Sequence, residues 1–174
     1  MLAFYIILAL IIFLVVVAYV LNAIYLPRKR IEKTQHQIHL LLDQEESNFS
    51  LETLNSKFAD LKLTINDKDY FIKVIKVSER KSIVITNKTT WIETERTGSL
   101  TIKNRITSIV PLLQNKIDFD SITQFNKIAI IYPDANKILK YINENEMVFV
   151  TEKTDVYGVR IVRFNKLDQI LNCL

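Results

Sequence analysis

The sequence predicts an α/β protein: a single N-terminal transmembrane helix plus one mixed-sheet domain. Three observations predict it. No Asp, Glu, Lys, Arg or His stands between Met1 and Pro27. From Leu61 to Glu95 apolar and polar residues alternate in short runs, the period of strands. Beyond that, apolar strand-like runs alternate with stretches at helical spacing, which suggests one mixed sheet with helices on its faces. The chain divides into a transmembrane anchor (1–27), a juxtamembrane basic segment and helix (28–49), and a soluble α/β domain (50–174).

The anchor is the 25-residue run Leu2–Leu26. As a helix it reaches about 37 Å, and the hydrocarbon core of a bilayer needs about 30 Å. Asn22 is its one amide, joined by Tyr5, Tyr19 and Tyr25. A core helix is disfavoured because so many consecutive apolar residues exceed what one soluble helix hides. A cleaved signal peptide needs a basic start, a shorter run and a small-x-small site. No Lys or Arg precedes the run, and Asn22–Leu26 has no such site.

The formal charge is +4, and Arg28, Lys29, Arg30, Glu32 and Lys33 supply +3 of it, leaving about +1 for the rest. A basic flank after the span, with none before it, places the N-terminus outside and the C-terminal domain in the cytoplasm of a single-pass cell-membrane protein. Arg28, Lys29, Arg30 and Lys33 are also the candidate membrane-surface residues, attracting anionic lipid headgroups by about 1 kcal/mol each. A near-neutral domain lacks the basic face of a dedicated nucleic-acid binder. The expected partners are the bilayer, through residues 2–26, anionic lipid headgroups and a further protein, with nucleic acid as the alternative.

The elements follow in order. Pro27 opens a helix over 28–46, with Ile31, Ile38, Leu41 and Leu42 on one side and Glu45 and Glu46 at its end. Asn48 or Ser50 caps a next helix carrying Leu51, Leu54, Phe58 and Leu61. Leu61, Leu63 and Ile65 then alternate as a strand, and Asn66 to Asp69 turn the chain into a second strand, Tyr70–Val77. Glu79 to Lys81 form a turn, Ser82–Thr86 a third strand and Thr89–Glu95, with Trp91, a fourth; Gly98 breaks the run. A long helix carries Ile102, Ile106, Ile109, Val110, Leu113 and Ile117, kinked or divided at Pro111. Lys127–Tyr132 is a strand, and Asp134 caps a helix with Ile138, Leu139 and Ile142. Met147–Thr151 and Val159–Val162 are strands, and Asn165 caps a last helix with Leu167, Ile170 and Leu171. About 145 residues suit one core and not two.

Composition excludes several chemistries. The one cysteine, Cys173, permits no disulfide within the chain and is not fourth from the end, as prenylation requires. Two glycines, Gly98 and Gly158, are too few for a Walker loop or a GxGxxG fingerprint. His36 and His39 share a helix face, but no third His or paired Cys joins them.

One constellation stands out: Asp69 at the start of its strand, followed by Ser82–Lys88. It resembles the core of the restriction-endonuclease-like PD-(D/E)xK superfamily, and in particular its nuclease-related NERD domains, over roughly residues 50–174. In that family an Asp opens one strand of a hairpin and Glu-x-Lys ends the next. The two carboxylates hold Mg²⁺ against a phosphate while the lysine positions water. The resemblance implies Asp69 as the first acid and metal ligand, and Lys88 as the lysine. Thr86 stands where the family carries Glu, and its hydroxyl brings no charge to a cation. Glu93 or Glu95 on the next strand would have to replace it. The expected function is therefore a non-catalytic interaction module at the membrane, without a cofactor. The alternatives are a Mg-dependent nuclease at the inner membrane face and a scaffold subunit of a membrane complex.

Overall fold

The computed structural model describes residues 2–44, 48–54, 56, 59–77, 81–87, 90–94, 126–143 and 146–171. The helix expected over Ile102–Ile117, Lys88, Glu95, Glu45, Glu46, Phe58, Gly98 and Cys173 lie outside the described residues.

One helical rod runs from Leu2 to Gln44: α1 (Leu2–Val20), a widened π-type turn (Leu21–Tyr25) and α2 (Leu26–Gln44). Pro27 does not open a separate helix. It lacks an N–H, and its ring crowds the carbonyl four residues back, so a widened turn just before it accommodates both. Leu26 N–H closes that turn on the Leu21 carbonyl, and Asn22 Nδ2 donates to Ala18 O at 2.9 Å. Every side chain from Phe4 to Leu26 is exposed. This part of the rod is long and apolar enough to cross a membrane.

α2 behaves differently. Ile38 and Leu42 are fully buried, and Ile31 and Leu41 pack beside them, as the spacing predicts. They meet Leu61, Leu63, Ile72, Ile128 and Ile130 of a sheet, together with Leu167, Ile170 and Leu171 of a short C-terminal helix. Each such side chain contributes about 1.5–3 kcal/mol on burial.

The strands are β1 (Phe49–Thr53), β2 (Leu61–Ile65), β3 (Lys68–Lys76), β4 (Ser82–Ile85), β5 (Trp91–Thr94), β6 (Lys127–Tyr132), β7 (Ile138–Asn143), β8 (Glu146–Phe149), β9 (Asp155–Val156) and β10 (Val159–Arg163). Among the described residues they form two mixed sheets where one was expected. The larger has the order β1-β2-β3-β6-β10-β9, the smaller β5-β4-β7-β8. In the larger, β3, β6 and β10 run parallel and the remaining pairs antiparallel. In the smaller, β4 pairs parallel with β7. Ile75, Ala129, Ile131 and Ile161 of the larger sheet pack on Ile83, Ile85, Trp91 and Ile138 of the smaller. The described residues of the domain thus form three layers: helices α2 and α3 (Leu167–Leu171), the larger sheet, then the smaller sheet.

Three expected helix features are corrected. Residues 49–53 form the edge strand β1, paired with β2 from Phe49↔Ile65 to Thr53↔Leu61. Half-buried Phe49 and Leu51 alternate there with exposed Ser50 and Glu52, so period two prevails over the Leu51/Leu54 spacing. Residues 138–143 form β7, because Ile138 joins the inter-sheet core beside Ile83 of β4 while Leu139, also buried, takes the opposite face beside Val84, and Asp134 caps only the adjacent Ala135 N–H at 2.7 Å. Asn165 lies inside a 3₁₀ turn (Phe164–Lys166) leading into α3, and its amide donates to Asp134 Oδ2 at 3.0 Å instead of capping the helix.

Among the described residues, two hairpin turns have left-handed residue pairs. Asn66 and Asp67 have φ of 50° and 60°, so Ile65 pairs directly with Lys68. Tyr157 and Gly158, at 57° and 78°, link β9 to β10. These left-handed pairs match the twist of the flanking strands.

Candidate functional site

The two sequence-predicted acids among the described residues, Asp69 and Glu93, fall on different sheets. Asp69 is on β3, opposite Thr64 of β2. Its carboxylate accepts the Thr64 hydroxyl at 2.8 Å and lies 3.0 Å from Lys62 Nζ. These two contacts, the Thr64 bond foremost, hold its pKa below the ordinary carboxylate value. Glu93 is on β5 of the smaller sheet, nearly buried and 3.6 Å from Lys81 Nζ. β3 and β4 are not partners: β3 lies between β2 and β6, and β4 between β5 and β7. Thr86 donates its hydroxyl to Thr90 O at 2.9 Å and so ties the β4–β5 turn. Lys88 and Glu95 are outside the described residues. Among the described residues no three His, Cys, Asp or Glu side chains are grouped to share a metal ion. His36 is exposed, and the His39 ring leans on Phe49 with centroids 5.2 Å apart. Trp91 is core, against Ile85 and its neighbours.

A different site forms where the rod meets the larger sheet. Asn22, Leu26, Lys29, Arg30 and Lys33 recur at helical spacing on one face of the rod. That face lies against Lys76 and Tyr132, the last residues of β3 and β6, which are register partners on parallel strands. Between them is a cavity of about 340 Å³ lined by these seven residues. Ligands in open α/β sheets characteristically bind beyond the carboxyl ends of parallel strands.

The electrostatics are one-sided. Four of the seven lining residues are cationic and none is acidic. Among the described residues none of the four cations is ion-paired with a carboxylate. Lys29 Nζ lies 5.6 Å from the Tyr25 ring centroid. Arg30 is half-buried, and burial lowers its guanidinium pKa, with Asp60 and Tyr132 pulling the other way. It stays charged, as guanidinium does in proteins, so it carries a desolvation cost that Asp60 and Tyr132 offset only in part. Tyr132 is fixed by edge contact with Phe164, centroids 4.9 Å apart.

Of the four predicted membrane-surface residues, Lys29, Arg30 and Lys33 line this cavity, and Arg28 is exposed outside it. Sequence reasoning missed Lys76, Tyr132 and Asn22. The available signals were a lone amide inside an apolar run and polar residues at two strand ends. Comparison with protein-family models, curated proteins and solved structures returns no match.

Proposed function

We propose that this is a single-pass membrane protein whose cytoplasmic α/β domain is a non-catalytic interaction module held at the bilayer surface. The observation that carries the reading is the continuous rod. Its first half exposes every apolar side chain from Phe4 to Leu26, and its second half is locked into the domain core by Ile38 and Leu42. An exposed apolar surface of this length needs an apolar phase. A helix without a flexible linker then fixes the height and orientation of the domain relative to that phase. The orientation follows from the basic flank at Arg28–Lys33. The non-catalytic part rests on Asp69 and Glu93, each engaged by a lysine and on separate sheets.

Two fractionation measurements test the reading. The chain should remain in the membrane pellet after alkaline carbonate washing. Protease added to intact cells should spare the domain and digest it once the membrane is permeabilised. Release by carbonate overturns the anchor, and digestion from outside overturns the orientation.

A further inference from the structure

We propose that the cavity between the rod and the ends of β3 and β6 is a binding site for one phosphate-bearing headgroup, supplied by an anionic phospholipid of the leaflet in which the anchor ends. The inference rests on the membrane-anchored reading and deepens it by naming a ligand class.

The chemistry of the lining selects an anion. Lys29, Arg30, Lys33 and Lys76 line one cavity together with Tyr132 and Asn22. Arg30 supplies a planar fork of donors suited to phosphate oxygens, and the lysines supply mobile point charges. A bound anion would also offset the part of the Arg30 desolvation that Asp60 and Tyr132 leave.

Height selects a lipid as the source. Asn22 and Leu26 belong to the last turns of the apolar run, and Lys33 lies about 10 Å further along the axis. The headgroup region of one leaflet is about 5–8 Å thick. The lining therefore extends from the hydrocarbon edge through the headgroup layer. Leu26 gives an apolar wall for glycerol and the first acyl carbons, Lys29 and Arg30 lie about 5–6 Å further along the axis at phosphate level, and Lys33 lies at the outer edge of the layer. A volume of about 340 Å³ suits a headgroup and not a whole lipid. Lys76 and Tyr132 distinguish this site from an ordinary basic flank. A flank on one helix attracts anions diffusely, whereas cations on two elements grip a single group from two sides.

The test uses the full chain in non-ionic detergent, titrated separately with short-chain phosphatidylglycerol, short-chain phosphatidylcholine and inorganic phosphate. Lipid adducts are counted by native mass spectrometry, and melting is followed for all three. The expected result is one phosphatidylglycerol bound about tenfold more tightly than phosphatidylcholine, the scale of one charge-assisted hydrogen bond. Lys76→Gln should abolish that preference, and Tyr132→Phe, which keeps the ring on Phe164, should weaken it several-fold. Arg28→Gln, the same charge loss on the rod but outside the cavity, should leave it unchanged. Equal weakening by Arg28→Gln and Lys76→Gln would reduce the site to a diffuse flank and overturn the proposal. So would full preference in Lys76→Gln, or stabilisation by inorganic phosphate equal to that by phosphatidylglycerol, which would make the ligand a soluble phosphate. If Lys76→Gln melts far below the parent without lipid, Tyr132→Phe decides. Carbonate washing of parent and variant separates this failure from failure of the anchor.

Discussion

Lys73 donates its ammonium to Asp60 Oδ1 at 2.7 Å, while Asp60 Oδ2 accepts the backbone N–H of Val74 at 2.8 Å. Asp60 precedes β2, and its own N–H donates to Ile72 O, so its carboxylate carries the β2–β3 ladder one step past the strand end. Both side chains are nearly buried, at 11 % and 14 % exposure. Removing one partner from such a pair strands a desolvated charge. Asp60→Ala should therefore cost about 3–5 kcal/mol, and Lys73→Met and Asp60→Ala together should cost less than the sum of the two. Thermal unfolding of the four chains in one detergent checks both points. Strict additivity would show that the pair is not coupled.

The junction of rod and domain depends on Ile38, fully buried among Leu61, Leu63 and Ile130. Ile38→Ala leaves a cavity and should cost about 2–5 kcal/mol. Leu40, one turn-face away and 45 % exposed, should tolerate Ala with a change within about 0.5 kcal/mol. Equal losses at both positions would mean that α2 packs by another face.

What the sequence made legible was what local pattern decides. Leu61–Ile65 and Lys127–Tyr132 emerge with the bounds read from the residues, the first because a left-handed Asn66–Asp67 turn fixes its register, the second because Ile128–Ile131 are buried on both faces. Residues 49–53 and 138–143 misled because runs of five or six residues with scattered Leu and Ile fit both periods, and only pairing with β2 or β4 decides. The division into two sheets was not legible, since it depends on β4 choosing distant β7 over adjacent β3. The cavity was half legible. Its cations on the rod stand together in the sequence, whereas Lys76 and Tyr132 reach it only through parallel pairing of β3 with β6.

Asp69 should give the fold a pH dependence of definite sign. Its folded-state pKa is lowered, first by the Thr64 hydroxyl and then by Lys62. A depressed carboxylate contributes stability that is fully present above its unfolded pKa and is lost as pH falls through the folded value. Asp69→Asn should therefore melt below the parent at neutral pH. The gap should close as pH drops from the ordinary carboxylate range to below the folded pKa. A gap that persists unchanged into that acid range would assign the loss to the hydrogen-bond geometry alone.

Catalysis at Asp69 is the sharpest discriminator between interaction module and nuclease. A Mg²⁺ ion takes near-octahedral oxygen ligation, commonly one or two carboxylates with water and phosphate. At Asp69 it would have to displace both the Thr64 hydroxyl and the Lys62 ammonium. Glu93 stands on the other sheet beside Lys81. Thr86 is tied to Thr90 and brings no charge. The expected outcome is that the full chain, at millimolar Mg²⁺ or Mn²⁺, cleaves neither single- nor double-stranded DNA or RNA above background. Asp69→Ala and Lys88→Ala should then leave cellular function intact. Thr86→Glu should not create activity, because β3 and β4 are not paired and the new carboxylate would not join Asp69 across a hairpin. Metal-dependent cleavage by the parent chain that disappears in Asp69→Ala would reverse the assignment. Glu93→Gln and Glu95→Gln would then identify the acid that completes the site.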